Sequence, residues 1–339
     1  MNKKTAKLFK GIHCGLWSDV KNDWGDYPNL AHYTTLQTLE NIIDSNELWL
    51  SSPLLMNDLD EVKGGLEESC NQLDKHDGMK EALSDKYDQF LQAYRDIQTS
   101  FYTKDILDTY IFCFSEHCPI AYPHGRLSMW RGYGQNGSGC SIVFDLSNLT
   151  AHQESPLILS KVEYVSMEER NNWIVKKLDD VAALLFNQRL SIVDLRVLAG
   201  QLFNRFLLGS LFSKHMGFSE ENEWRIVYLP SRDPEDRLES MRSYVINQDS
   251  AETKLKWKLE AAEGVTAADF DFPSLVKQII LGPEASSFIN QEAVKRMLRK
   301  NGMESMAEKV FTSGIPYSCL LYTSPSPRDL STSRMPSSA

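Results

Sequence analysis

The pattern of apolar and polar positions predicts that strands and helices share the chain. Two-residue alternation, or a short run of β-branched and aromatic residues, is typical of strands. Several of these runs end at segments that contain Gly or Pro, which are typical of turns. The pattern predicts strands at residues 30–34, 47–52, 109–117, 140–144, 161–165, 224–228, 276–283 and 309–313.

A period of 3.6 residues predicts helices between these strands. Thr34 or Thr35 can cap a helix that carries apolar residues at Leu36, Leu39 and Ile43. Residues 62–108 combine this period with dense alternating charge, which is typical of a solvated helical insertion. Residues 167–215 combine it with many apolar positions. Further helices are predicted at residues 62–108, 167–215 and 291–300.

The order of these elements predicts an α+β fold. Strands come in clusters with helices between them, which favours a mixed or mostly antiparallel sheet over a doubly wound parallel one. We predict an N-terminal extension at residues 1–27 and a single α+β domain at 28–318. Its helical insertions are expected near residues 62–108 and 167–215.

Composition and charge narrow the classes of function. The 339 residues include 46 acidic and 36 basic side chains, a net charge of −10, which argues against a broad nucleic-acid or membrane-binding surface. No apolar run approaches the roughly 20 residues that span a bilayer, and the start lacks the apolar segment of a signal peptide, so we expect a cytoplasmic protein. The cysteines are irregularly spaced without a Cys-x-x-Cys pair, and we expect reduced thiols and no metal.

The C-terminal segment has a sequence unlike the rest of the chain. CLLYTSPSPRD and SRMPSSA, within residues 319–339, back-translate to the two ends of an adapter used in sequencing-library preparation. A natural Ser- and Pro-rich disordered tail is the alternative that composition favours. We interpret residues 319–339 as a translated adapter and expect them to make few core contacts.

Several short motifs together resemble a known family. HYTTLQTLENIIDSNELWLSSPLLMNDLDE is followed in order by CFSE, MWRGYGQNGSGCSIVF, KVEYV, ENEWRI, QIILGP and SGIPY. This order, over residues 28–318, resembles the mostly bacterial family catalogued as domain of unknown function 2971. Some of its relatives are linked to abortive phage infection, so the resemblance implies a bacterial protein, with a role in phage defence. Leu59 departs from the family, which usually has proline there.

The order of three of these motifs also resembles the ADP-ribosyltransferase superfamily, which uses NAD as substrate. The order is a His on an early strand, a Ser-containing strand and a Glu-x-Glu segment that enters a later strand. A carboxylate can stabilise the oxocarbenium-like state formed when nicotinamide leaves. The resemblance implies that Glu223 is catalytic and that Glu221 assists a macromolecular acceptor. It assigns NAD binding to His32, Tyr33, Ser115, Trp130, Arg131 and Tyr133.

Each assignment has an alternative. Glu223 lies two residues from Arg225 on a strand, so the two share a face, and Glu223 can instead be an ion-pair partner of Arg225 or Arg131. His32 can be a hydrogen-bonded core histidine. The second hypothesis is therefore a non-catalytic sensor or protein-interaction module, and a metal-dependent nuclease that uses the acidic loop at residues 57–61 is the third. The enzyme hypothesis requires His32, Ser115 and Glu223 to converge in one cleft.

Overall fold

A large and mostly antiparallel β-sheet organises the protein. The computed structural model describes residues 3–19, 28–55, 59–146, 155–246, 250–266 and 270–317. Within these ranges ten strands form the main sheet, and β6 and β7 form a separate parallel pair. The strands are β1 (Asn29–Thr34), β2 (Glu47–Ser51), β3 (Tyr110–His117), β4 (Cys140–Phe144), β5 (Leu157–Lys161), β6 (Glu163–Val165), β7 (Ser213–His215), β8 (Glu223–Tyr228), β9 (Arg242–Ile246), β10 (Ala251–Lys258), β11 (Val276–Leu281) and β12 (Val310–Thr312).

The strand order of the main sheet puts β3 at a branch point. The order is β12-β11-β4-β1-β3-β2-β10-β9, and β8 pairs with the other edge of β3 and carries β5 on its outer side. Only β11 and β12 pair in parallel among the described strands of this sheet. The α+β class with a mostly antiparallel sheet is therefore confirmed.

Helices cover both faces of the sheet. They are α1 (Lys3–Leu16), α2 (Leu36–Ser45), α3 (Leu59–Lys75), α4 (Asp77–Leu83), α5 (Tyr87–Thr103), α6 (Leu127–Gly132), α7 (Met167–Leu185), α8 (Ile192–Leu211), α9 (Phe272–Leu275), α10 (Phe288–Lys300) and α11 (Glu304–Ala307). The helix caps agree with the sequence: Thr35 accepts a hydrogen bond from the Thr38 backbone amide, and Ser166 and Ser191 begin α7 and α8 with capping boxes.

Two hydrophobic cores lie on opposite faces of the sheet. One is formed by α1, α3, α4, α5, α7 and α8 against β3 and β8, through Ile111 and Val227. The other is formed by α2, α9, α10 and α11 and includes Phe112, Phe114 and Ile226. Because successive strand residues point to opposite faces, neighbours such as Ile111 and Phe112 belong to different cores. The face of a residue therefore decides which core it joins.

The structure differs from the predicted elements in three places. Residues 3–16, predicted as part of an extension without a clear period, form α1, which buries Phe9, Ile12 and Leu16 in the helical core. The predicted strand at 161–165 covers the last residue of β5 and the whole of β6, with a break at Val162, and the rest of β5 was not predicted. Strands β7, β9 and β10 were not predicted.

Two predictions fall on parts of the chain outside the described ranges. One concerns the acidic loop, because the side chains of residues 57–61 lie outside the described part of the structure. The other concerns the tail, because the whole of residues 319–339 lies outside these ranges. The metal role of the acidic loop and the adapter interpretation of the tail both stay predictions.

Candidate functional site

Glu223 and Arg225 form a buried ion pair at the start of β8. The Arg225 Nε donates to Glu223 Oε1 at 2.7 Å and its Nη2 donates to Glu223 Oε2 at 2.9 Å. The Arg225 Nη1 donates to the Leu211 carbonyl oxygen at 2.7 Å, at the end of α8. Glu223 is 5% exposed and Arg225 is fully buried. This two-point contact is the geometry in which an arginine holds a carboxylate most strongly.

Lys214 connects this pair to Glu221. The Lys214 ammonium donates to Glu221 Oε2 at 2.7 Å and lies 3.4 Å from Glu223 Oε2. The hydroxyl of Tyr133 donates to the other Glu221 oxygen, Oε1, at 2.8 Å. Lys214 is buried, whereas Tyr133 is 48% exposed, so the cluster runs from the protein interior to the surface. Lys214 was missed by sequence reasoning because the short strand β7 was not predicted.

Ser115 fixes the backbone of the same segment. Its hydroxyl donates to the Glu221 carbonyl oxygen at 2.6 Å, and its position on β3 pairs directly with Glu223 on β8. The Tyr164 hydroxyl accepts the Glu223 backbone amide at 2.8 Å. Asn222 between the two glutamates is in the left-handed region at φ 42°, a conformation that Asn tolerates better than most residues. Ser115 thus holds the Glu-x-Glu turn in place by a hydrogen bond to the backbone of Glu221.

The charge of Glu223 is stabilised by its neighbours. Burial raises the pKa of a carboxyl group, but the hydrogen bonds and charge of Arg225 and the charge of Lys214 outweigh that effect and lower the pKa of Glu223. Burial and the hydrogen bond to Glu221 raise the pKa of Tyr133. The cluster therefore holds a charged Glu223 carboxylate beside two cations, with a neutral phenol at Tyr133.

Tyr33 and Trp130 form a second group on the same side of the sheet. Their rings meet edge to face with centroids 4.8 Å apart, and Trp130 is fully buried. The Trp130 Nε1 donates to the His124 carbonyl oxygen at 2.9 Å, and the Tyr33 hydroxyl accepts the Arg126 backbone amide at 3.0 Å. Both rings are therefore committed to internal packing rather than offered as stacking surfaces.

Arg131 contacts the chain that follows β12. Its guanidinium carbon is 5.2 Å from the centre of the Tyr317 ring, a cation–π contact that joins α6 to the chain after β12. The predicted alternative partner of Glu223 is thus Arg225 and not Arg131.

His32 lies on the opposite face of the sheet from Glu223. Ala31 pairs with Ser115, and Ser115 pairs with Glu223, so these three positions share one face and His32 points to the other. Its ring packs 4.4 Å from the Phe112 ring, and its Nδ1 donates to the Cys113 carbonyl oxygen at 3.1 Å. Burial lowers the pKa of His32 to about 4, so the imidazole is neutral at neutral pH.

The three residues required by the enzyme hypothesis do not converge. Ser115 and Glu223 are neighbours, but the sheet separates both from His32. The prediction of one shared cleft is therefore wrong, because a strand turns successive side chains to opposite faces and the register places Ala31, not His32, beside Ser115. The site that the structure does assemble consists of Ser115, Tyr133, Lys214, Glu221, Glu223 and Arg225.

The described part of the chain offers no grouping suited to a metal ion. Within it, no set of three or more His, Cys, Asp or Glu side chains is arranged as a metal site. No helix in the described ranges combines the length and apolar character needed to cross a bilayer.

Comparison with known proteins supports the predicted family resemblance over part of the chain. Residues 129–226 match the family model described as protein of unknown function (DUF2971). This range begins at α6 and ends within β8, so it contains every residue of the ion-pair cluster except Ser115. Neither the curated proteins nor the solved structures contain a match to this chain. The family description assigns no activity.

Proposed function

We propose that this protein is a non-catalytic binding module in which the Glu221–Glu223 segment has a structural role. One observation carries the proposal: both carboxylate oxygens of Glu223 are bound by Arg225 in the buried interior. A carboxylate that stabilises a positive charge developing on a substrate has to face that substrate. Glu223 instead faces a permanent cation of its own protein.

The surroundings of the pair support the same conclusion. An ion pair withdrawn from water is costly unless its remaining hydrogen-bonding groups are satisfied. Here Lys214 contacts Glu223 Oε2, and the Leu211 carbonyl accepts from Arg225. These contacts join the end of α8 to β7 and β8. The cluster therefore fixes the helical layer on the sheet.

The second candidate function is an NAD-dependent ADP-ribosyltransferase-like activity in phage defence. The order of motifs supports it, and so does the position of Glu221. The Glu221 side chain is 16% exposed and is bound by the partly exposed Tyr133, so it is the carboxylate of this cluster that solvent reaches. In this alternative Glu221 and Tyr133 would contact NAD and Glu223 would be the catalytic carboxylate, whereas His32, on the other face of the sheet, would not contact NAD.

Glu223→Gln separates the two functions. The substitution preserves shape and removes the charge, so the structural role predicts a lower free energy of unfolding and no change in any release of nicotinamide from NAD. The measurement combines chemical unfolding with an assay of nicotinamide release in the presence of cell extract, which supplies acceptors. Glu220→Gln is the matched control, because Glu220 is exposed and forms no ion pair with the described residues.

The enzyme function makes the opposite prediction. Loss of a group that stabilises a transition state costs roughly 10²–10³ in rate. Nicotinamide release by the wild type that falls by this factor in a folded Glu223→Gln protein, but not in Glu220→Gln, would refute the non-catalytic role.

A further inference from the structure

A region with unsatisfied polar groups lies outside the ion-pair cluster described above. It is a pocket of about 500 Å³ between α1, α8 and the turn that follows β8. This volume is within the range of about 300–1,000 Å³ that is typical of small-molecule sites. The lining residues that could contact a ligand are His13, Trp17, Gln201, Asn204, Arg232 and Glu235.

Arg232 provides a positive charge that has no counter-ion among the described residues. Its side chain forms no ion pair or hydrogen bond with the described residues, and it remains open to solvent within the pocket. Burial lowers the pKa of its guanidinium group. The neighbouring Arg237, by contrast, has its Nε 3.2 Å from Asp233 Oδ1. The exposed guanidinium of Arg232 can therefore bind an anionic ligand that enters the pocket.

One wall of the pocket combines an aromatic ring with amide groups. Gln201 and Asn204 lie three residues apart on α8 and therefore project from one side of that helix. The Oε1 atom of Gln201 is buried and accepts no hydrogen bond within the described part of the chain. The ring of Trp17 is held by the Arg205 guanidinium at 5.1 Å and lines the same pocket. A flat group with hydrogen-bonding edges matches this wall.

We propose that this pocket binds a nucleoside 5′-monophosphate, alone or as a unit of a larger nucleotide. Arg232 binds the phosphate, for which a planar guanidinium is well suited. The carboxylate of Glu235 accepts from the ribose hydroxyls, while Trp17, Gln201 and Asn204 contact the base. The cation, the anion and the aromatic wall of the pocket thus match the phosphate, the ribose and the base of a nucleotide, respectively. It names a ligand class for the binding module proposed above and rests on that function.

The test is calorimetric titration of the whole chain with AMP, GMP, CMP and UMP in turn. Inorganic phosphate, ribose 5-phosphate and the matching nucleoside are titrated separately, to distinguish a nucleotide from its parts. We expect at least one nucleotide to bind with a Kd below about 1 mM, and more tightly than any of its parts, which add fewer contacts. Arg232→Met removes a charge-assisted contact and should weaken binding roughly tenfold to a hundredfold.

Two further variants complete the test. Asn204→Ala alters a second lining residue, which is exposed, and should weaken binding of the nucleotide without weakening that of phosphate. Arg296→Met, on the exposed side of α10, should leave binding unchanged. The proposal is overturned if none of the four nucleotides binds, if phosphate binds as tightly as the nucleotides, or if Arg232→Met binds like the wild type. These results come from binding heats, whereas the non-catalytic role fails on nicotinamide release, so the two failures are distinguishable.

Discussion

Arg225 and Arg232 are near neighbours in sequence, but their surroundings are opposite. Arg225 is fully buried and bound by Glu223 and the Leu211 carbonyl. Arg232 is open to a pocket and has no partner among the described residues. A charge that the protein neutralises itself stabilises the fold, whereas a charge left unmatched beside a cavity is available for a ligand. The partners around each arginine therefore distinguish a structural role from a ligand-binding role, which the residue type alone does not.

The direction of the chain explains the difference. Glu223, Arg225 and Val227 alternate along β8 and all face the helical core. After Leu229 the chain leaves the sheet in a short 3₁₀ turn at Pro230–Arg232, and Arg232 lines the same pocket as residues of α1 and α8. Strand β8 thus buries the charge of Arg225 against the helices, whereas the turn that follows it exposes the charge of Arg232.

Arg225→Met is expected to have the largest effect on stability. The change leaves the buried Glu223 carboxylate without its arginine partner, and breaking a buried pair by removing one partner costs about 3–5 kcal/mol. Arg232→Met should change the free energy of unfolding by no more than about 0.5 kcal/mol, because Arg232 has no internal contact to lose. Urea unfolding monitored by circular dichroism measures both.

A double variant checks the reason for that cost. Glu223→Leu combined with Arg225→Met replaces the pair by apolar side chains and should recover much of the loss, since an apolar pair often replaces a buried ion pair at little cost. If Arg225→Met and Arg232→Met prove equally mild, the contrast between the two arginines does not hold.

Much of the fold could be predicted from the chain, because burial leaves a clear pattern in sequence. The runs at 110–117 and 140–144 are apolar on both faces, and both are strands at nearly the predicted bounds. Strands β9 and β10 escaped prediction because they carry many charged or polar residues. Their pairing with β2 and with each other, which a local pattern does not contain, makes them strands.

The site was predictable only in part. Glu223 and Arg225 share a face because they are two apart on a strand, and the structure confirms this contact. The face of His32 relative to Ser115 depends on the register of β1 against β3, and a shift of one residue would reverse it. Residue order along the chain carries no information about that register. The pocket of Arg232 depends on packing between α1 and α8, which is equally invisible in local sequence.

Lys214→Met sharpens the comparison within the ion-pair cluster. Lys214 is buried and contacts both glutamates, so its loss should cost about 1–3 kcal/mol, less than the loss of Arg225 because Glu221 can recruit water. Lys161→Met is the control: its pair with Glu116 at 2.8 Å is partly exposed on both sides and should be worth at most about 1 kcal/mol. Equal losses of unfolding free energy in Lys214→Met and Lys161→Met would show that burial does not make the Lys214 ion pairs stronger than a surface pair.

The acid dependence of stability gives a smaller and separable effect. The folded-state pKa of Glu223 is lowered below its ordinary value of 4.5, so its stabilisation is present above that pH and is lost as the pH falls through the folded-state value. Glu223→Gln should therefore be less stable than the wild type at pH 6, and the gap should narrow below pH 4.5. Unfolding curves across this range measure it, and a gap independent of pH would show that folding leaves the pKa of Glu223 unchanged, so that Arg225 does not stabilise its charge.

Tyr133→Phe tests the surface end of the cluster and should have the smallest effect. The substitution removes only the hydroxyl that donates to Glu221 Oε1 at 2.8 Å, a bond worth about 0.5–1 kcal/mol where water can replace it. Tyr122→Phe, at another partly exposed tyrosine, should leave stability unchanged because no described residue is hydrogen-bonded to its hydroxyl. A loss above about 2 kcal/mol for Tyr133→Phe would mean that Glu221 is as tightly enclosed as Glu223. The cluster would then offer no carboxylate to solvent, and no carboxylate of the cluster could reach a substrate.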